Sequence, residues 1–384
     1  MPEDFHAAPK PWAAIKHGLL QYLELFLGKL GRPGRKVFYV DGFAGAGRLE
    51  DGSEGSPLKA ANIAKNPRQP SRRGILKCIN CEKTAAIFER LEAATVEFVA
   101  DGIVTNLRGE FDEALPEILK LVADFPALFF IDPFGTQGAE LSTLQAIAAG
   151  ARGREVLVRF DDTRLKRLIR LTANHIGSLD PTQRRIAESL SARVAEFATE
   201  ADTEAALTLL DANERVASRD VLIDAYCRIV RAQTAFTHAI YYPLRNPKTG
   251  GHRYFIVHFC SHPDGYIYMA DFMAKAERAY QRQQSDLLLG GTGQMEFPDI
   301  KEHLDDEIHE DRKARVLSRL PEIIAAKNWR GSSVEARRVY EAIVEEFGWE
   351  VLRREYLAAL RELKKQGRVN FADLEDGSAI QFAT

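Results

Sequence analysis

Asp41, Glu82, Glu110 and Asp132 each close a short β-favouring run or stand just beyond one. A carboxylate at the end of a parallel strand is well placed to accept hydrogen bonds from the amine or hydroxyls of a bound ligand. The richest of these positions is the stretch from Val37 to Gly47, V-F-Y-V-D-G-F-A-G-A-G. Val37, Phe38, Tyr39 and Val40 favour a strand. They run into Asp41 and then into Gly42, Phe43, Ala44, Gly45 and Gly47, a turn whose main chain is nearly bare. Glycine tolerates unusual backbone angles and lets a ligand lie against the main chain. The spacing is D-x-F-x-G-x-G rather than the G-x-G-x-x-G of a dinucleotide site. The turn therefore reads as a nucleotide-type cofactor site of another kind, the alternative being a structural turn with three chance glycines. Asp41 either reaches a ligand amine or caps its own turn.

Glu82 ends the run Ile75 to Cys81. Its two oxygens match a ribose diol, while a solvated acid at a helix start is the plainer alternative. Gly109-Glu110-Phe111 follows a third short run, where a resemblance of the D-x-F-x-G-x-G turn to class I methyltransferases implies that Glu110 meets an adenine amine and Phe111 packs against the adenine; the alternative for Phe111 is the core. Ala127 to Ile131 is wholly apolar, as a central strand buried on both faces must be, and it opens directly into Asp132-Pro133-Phe134-Gly135. Asp161 and Asp162 are neighbours on extended chain and point opposite ways, so helix capping before Arg164 suits them better than a shared ion. Arg152, Arg154, Arg159, Arg164, Lys166, Arg167 and Arg170 surround them, either as phosphate contacts or as a solvated face. Cys78 and Cys81 form a lone C-x-x-C on a strand, where the two thiols face opposite sides, so no metal site is assigned.

Apolar residues at helical spacing from Trp12 to Leu30 predict an amphipathic helix, stopped by Gly31 to Gly34. Pro57 at a first helical turn, then alternating helices and strands to Phe160, predict a doubly wound, parallel α/β sheet with its site at the strand C-termini. Residues 164–234 read as a helical insertion, and two β-rich runs, Phe236 to Leu244 and Arg253 to Cys260, follow as a hairpin. The expected organisation is a Rossmann-like domain over 1–290, a linker over 291–311 and a C-terminal domain over 312–384. In that last domain three helices and a small hairpin predict a winged helix-turn-helix, with a capping box from Ser332 to Glu335 at its second helix. From Asp311 to Asn370 there are 14 Lys+Arg against 9 Asp+Glu, opposite in sign to the net charge of -3 for the whole chain. Arg353, Arg354 and Arg361 on the third helix, with Lys364, Lys365 and Arg368 at the wing, are the candidate nucleic-acid contacts, and protein docking is the alternative.

With 45% hydrophobic residues over 384, the chain can build a sizeable core. The absence of a long apolar run predicts no membrane span, and with four scattered cysteines the expected location is cytoplasmic.

The turn D-G-F-A-G-A-G resembles the first motif of class I S-adenosylmethionine (SAM)-dependent methyltransferases, and Asp132-Pro133-Phe134 resembles the D/N-P-P-Y/F motif of their amino-methylating branch. The second resemblance implies that Asp132 and the Pro133 carbonyl hold a target amine while Phe134 stacks on its base. The chain departs from that motif in lacking the second proline and in carrying Gly135 at the usual aromatic position. Lys16-His17, the turn itself, Gly55-Ser-Pro57, F-F-I-D-P-F-G and Tyr242-Pro-Leu-Arg-Asn246 together look like the three-Cys-motif partner protein family. That resemblance, over about residues 10 to 280, implies a methyltransferase-like fold with SAM as cofactor and a three-Cys-motif protein as partner. The amino-methylating motif and the winged helix make a nucleic acid the expected acceptor, and the competing reading is a non-catalytic regulator that senses SAM or a nucleotide.

Overall fold

A computed structural model describes residues 11–66, 74–133, 138–150, 153–176, 180–245, 252–290 and 298–383. The chain forms two compact units, one centred on Leu20–His262 and the other on Pro263–Thr384.

The first unit is built on seven strands: β1 (Lys36–Asp41), β2 (Ile75–Glu82), β3 (Val104–Arg108), β4 (Ala127–Ile131), β5 (Arg154–Phe160), β6 (His238–Arg245) and β7 (His252–Cys260). Their order is β3-β2-β1-β4-β5-β7-β6. The first five are parallel, and β7 runs antiparallel to both β5 and β6. From β1 the chain winds outward to β2 and β3, then crosses back to lay β4 on the other side of β1. The crevice beyond the carboxyl ends of β1 and β4 is thus the topological switch point, where open α/β sheets bind ligands.

The helices are α1 (Pro11–Leu30), which belongs to this unit from Leu20 onward, α2 (Ser56–Lys65), α3 (Ala85–Ala100), α4 (Phe111–Val122), α5 (Leu141–Ala148), α6 (Asp162–Ile176), α7 (Pro181–Ala195), α8 (Glu200–Asp211) and α9 (Arg215–Gln233). The sheet is apolar because helices cover it; every residue of β4 is buried. The expected helical insertion is α6 to α9, and its last helix belongs to the core. Tyr226 of α9 stacks on Phe160 at 4.7 Å and meets Phe259 edge-on at 5.5 Å. Its hydroxyl donates to the Ala139 carbonyl at 2.6 Å.

The end of the sheet away from the switch point is closed by polar clamps. Tyr22 donates to Glu155 at 2.7 Å, and His258 lies 2.9 Å from the same carboxylate oxygen, all three side chains being buried. Arg154, 6% exposed, donates to the carbonyls of Ile147 at 2.9 Å and Ala123 at 2.7 Å. It caps two helix ends, so within the arginine-rich run it is neither a phosphate contact nor part of a solvated face.

The second unit contains α10 (Pro263–Gly290), α11 (Pro298–Ala326), β8 (Ser333–Glu335), α12 (Ala336–Phe347), α13 (Arg353–Lys365), β9 (Val369–Asn370) and β10 (Ala379–Phe382). The three strands pair antiparallel in the order β8-β10-β9. Three expectations change here. The boundary falls at Pro263 rather than 290, because α10 is tied to the C-terminal helices and their loops: Asp264 to Arg337 at 2.7 Å, Tyr268 to Asp376 at 2.6 Å, and Asp271 to the Arg353 amide at 2.8 Å. Most of the expected linker is helical, since α11 starts at Pro298. The Ser332–Glu335 capping box does not form, because residues 333–335 are drawn into β8 and the Ser332 hydroxyl donates to Trp329 instead.

Candidate functional site

Asp41 is fully buried at the end of β1. Its carboxylate accepts from the Tyr39 hydroxyl and from the Phe43 amide, each at 3.3 Å. Burial first, then the nearby Asp41, pushes the Tyr39 phenol well above its ordinary range. Asp41 therefore shapes the turn from below, which is the capping role the residue type allowed. The next amides fasten the turn to the neighbouring strands: Gly42 donates to Phe130 at 2.9 Å, Ala44 to Cys81 at 3.0 Å, and Gly45 to Glu82 Oε2 at 3.1 Å.

Two glycines in this turn have separate reasons to be there. A Cβ on Gly42 would lie 2.8 Å from the Phe111 ring. Gly45, at φ +64°, has nothing within 4 Å of a Cβ position. Gly42 is forced by what lies beneath it, and Gly45 by its left-handed backbone beside open space. Phe111 is 1% exposed and packs against Phe43 at 5.8 Å. It is the floor of the turn, so the expectation that it packs against an adenine gives way to its core alternative. Phe43, half-buried, and Ala44, buried, are held in the same turn; a Cβ on Gly47, at φ +75°, would lie 3.1 Å from Ala94 and 3.4 Å from Leu91 of α3.

Glu82 joins the turn to α3. One oxygen takes the Gly45 amide at 3.1 Å and the other takes the Thr84 amide at 2.8 Å. A carboxylate has about four lone-pair sites, so these two bonds leave acceptor capacity at the strand end. Glu110 stands exposed before α4, 3.6 Å from the Lys83 ammonium.

Asp41 pairs in register with Phe130 of β4, so Asp132 stands two residues further along, about 7 Å at strand spacing. Asp132 lies 3.4 Å from Arg159 Nη1, and that guanidinium sits 4.1 Å above the Tyr254 ring. Pro133 is buried beside it; Phe134 and Gly135 fall outside the described residues. Gly138, at φ +79°, returns over the turn, with a Cβ position 3.1 Å from both Ile131 and Phe111 and 3.3 Å from Phe43. The segments that follow β1 and β4 are thus packed into one wall.

Behind that wall lies an acidic group that the sequence reading did not single out. Burial pushes the Glu140 carboxyl up to about 7, with the Asp112 and Glu196 charges adding to it. Asp112 is also raised, chiefly by burial, although Thr143 donates to it at 3.1 Å. No motif marked these residues, because Asp112 lies in the first turn of α4, Glu140 just before α5 and Glu196 just after α7, and only the fold brings them together. Arg159 was seen as one arginine in a basic run; its pairing with Asp132 follows from the β4–β5 register.

Among the described residues, no group of three or more His, Cys, Asp or Glu is arranged to hold a metal. Cys78 and Cys81 are buried on opposite faces of β2, and burial first pushes each thiol up to about 12. The Arg164 amide donates to Asp161 at 3.3 Å, the expected capping contact, while Asp162 is buried and lies 2.6 Å from Lys166.

In the second unit the candidate basic surface divides. Arg353 is withdrawn: it pairs with Asp376 at 2.6 Å and lies over the rings of Tyr340 at 4.8 Å and Tyr268 at 5.0 Å. Arg354, Arg361, Lys364, Lys365 and Arg368 are exposed on α13 and just beyond it. Lys364 reaches the Phe371 carbonyl, and Lys365 lies 3.5 Å from Glu362.

No family model and no curated protein matches the chain. Among solved structures it is similar to the O-methyltransferase from Bacillus cereus in complex with SAH, with 12% identity, 67% of this chain and 94% of that chain covered, and a TM-score of 0.33. It is also similar to the O-methyltransferase TomG from Streptomyces achromogenes, with 11% identity, 66% and 91% covered, and a TM-score of 0.32. A conserved hypothetical protein from Streptococcus pyogenes is 22% identical, with 34% and 69% covered and a TM-score of 0.25. Likeness at these scores does not bear on the chemistry of the site, which rests on its own residues. Among the described residues no helix is long and apolar enough to cross a membrane.

Proposed function

We propose that the first unit transfers a methyl group from SAM to an amino nitrogen of a nucleic acid. The observation that carries this reading is the placement of the glycine turn and Asp132 together, on adjacent strands, at the switch point of the sheet. The turn fits a ligand laid along its main chain, because the space a Gly45 side chain would fill is open. In this reading the backbone of Gly42 to Gly47, shaped by Asp41, carries the methionine end. Glu82 accepts from the ribose hydroxyls with its remaining lone pairs, and Glu110 faces the adenine. Bound there, SAM supplies a methyl group on a positively charged sulfur.

Asp132 and the Pro133 carbonyl accept the two N–H groups of the target amine, which orients its lone pair without a strong base. Phe134 stacks on the base. The second unit, read as a winged helix, meets nucleic acid through Arg354, Arg361, Lys364, Lys365 and Arg368. Its alternative is docking to a partner protein, for which a three-Cys-motif protein is the candidate from the motif resemblance.

A second reading, a SAM-sensing regulator without transfer activity, is favoured by one contact. Arg159 holds Asp132 at 3.4 Å and competes for the carboxylate that the acceptor would need. Titration calorimetry with SAM and S-adenosylhomocysteine tests the site that both readings share, and no heat from either ligand would sink both. Transfer of labelled methyl to DNA or RNA separates them. Asp132→Ala is expected to lower that transfer about 10²–10⁴-fold while leaving cofactor binding intact.

A further inference from the structure

The first unit contains a cavity of about 630 Å³ between α6, the end of α8 and the start of α9. Among the described residues five cations line it, Lys166, Arg167 and Arg170 from α6 with Arg215 and Arg219 from α9, against the single carboxylate of Asp162. Lys166 and Arg170 are four residues apart on one helix, as are Arg215 and Arg219 on the other. Like charges at that spacing destabilise a helix, so two such pairs facing one cavity call for a counter-charge. Asp162 is already engaged by Lys166 at 2.6 Å, and Asp220 lies 3.8 Å from Arg219 Nε.

Arg219 is the decisive residue. Its side chain is 8% exposed, its guanidinium lies 5.6 Å over the Phe255 ring, and its Nε has no hydrogen-bond partner. A buried guanidinium donor left unmatched is costly, and here it belongs to a residue lining a cationic cavity. The cavity also has an apolar side, where Leu171 is 39% exposed and Val216 is 61% exposed. Asp162 follows Arg159 by three residues, which places the cavity beside the carboxyl end of β5, next to β4, the strand that Asp132 follows.

We propose that this cavity is a phosphate-ester site: the phosphate sits among the guanidinium groups, and the organic part it carries lies on Leu171 and Val216. That the bound phosphate belongs to the methyl acceptor rests on the function proposed above; the binding itself does not. The phosphate comes either from a free nucleotide or from a nucleic-acid strand.

Calorimetry on the full chain, without SAM, compares uridine, uridine 5′-monophosphate and a 5′-phosphorylated single-stranded decanucleotide. Preference for the monophosphate over uridine assigns the site to free nucleotides. Binding of the decanucleotide alone, weakening steeply with salt, assigns it to a strand. In either case the double variant Arg170→Gln/Arg215→Gln, altered at two exposed positions, is expected to weaken binding at least about tenfold, since charge-assisted hydrogen bonds are the strong ones. Arg219→Lys keeps the charge but loses the planar fork and is expected to weaken binding as well. Absence of phosphate-dependent binding, or undiminished binding by the double variant, overturns the proposal. Neither result touches the SAM titration, so the two claims fail separately.

Discussion

Glu140 illustrates how a single side chain can make the fold sensitive to pH. Its carboxyl is pushed up to about 7 by burial, so the folded chain holds a proton that the unfolded chain releases near 4.5. Between those values the folded state binds more protons, and stability must fall as pH rises through the window. Glu140→Gln is expected to remove that fall, so the variant gains on the parent between pH 5 and pH 8 in denaturant unfolding. Equal pH slopes for the two proteins would show that Glu140 is not the source. What could be read from the sequence differed residue by residue. Asp41 and Gly42 to Gly47 announced themselves, because a strand, an acid and bare backbone are local features. Arg159 and Glu140 did not, since their partners lie 27 residues away at Asp132 and across the α4–α5 contact. Phe111 was open between ligand and core, and only its position beneath Gly42 decides for the core.

At the scale of elements, α13 shows why a helix sequence alone cannot be read as a surface. Its arginines looked equivalent, yet Arg353 faces inward to Asp376 and two tyrosine rings. Glu355, on the same helix, is fully buried. It pairs with Arg278 of α10, accepts the Leu352 amide at 2.7 Å and lies 3.6 Å from His309. Deleting one partner of a buried pair strands the other charge, so Glu355→Ala is expected to destabilise the second unit by about 3–5 kcal/mol. A loss below about 1 kcal/mol in chemical denaturation would mean that the Arg278 site is reached by water. The strands were read almost to the residue because alternation and apolar runs are short-range signals. The winding of β6 and β7 back onto β5 was expected as a hairpin, and the register places β7 rather than β6 next to β5.

On the scale of the whole chain, the domain boundary is the main departure from expectation. The sequence put it at residue 290, ahead of the expected linker, whereas the compact units divide at Pro263. The ties from α10 to Arg337, Arg353, Glu355 and Asp376 span some 73 to 108 positions, beyond the reach of local pattern. A fragment of residues 263–384 is expected to melt cooperatively. One of residues 312–384, which keeps Glu355 but loses Arg278 and His309, is expected to melt without a cooperative transition in circular dichroism. Matching melts for the two fragments would put the boundary back in the expected linker. Charge is likewise unevenly distributed: the chain is -3 overall, yet five cations share one cavity in the first unit.

The strand order has one more consequence, for solubility. The seven-stranded sheet ends in β3 on one side and β6 on the other, and open strand edges are where identical chains join into aggregates. β3 is only five residues long and ends in an arginine. β6 is longer but contains Pro243, which has no amide proton to offer and is tolerated because the strand is outermost. Both flanks of the sheet are thereby blunted, leaving a mostly parallel, highly apolar interior with no long, unbroken edge on which a second copy could add.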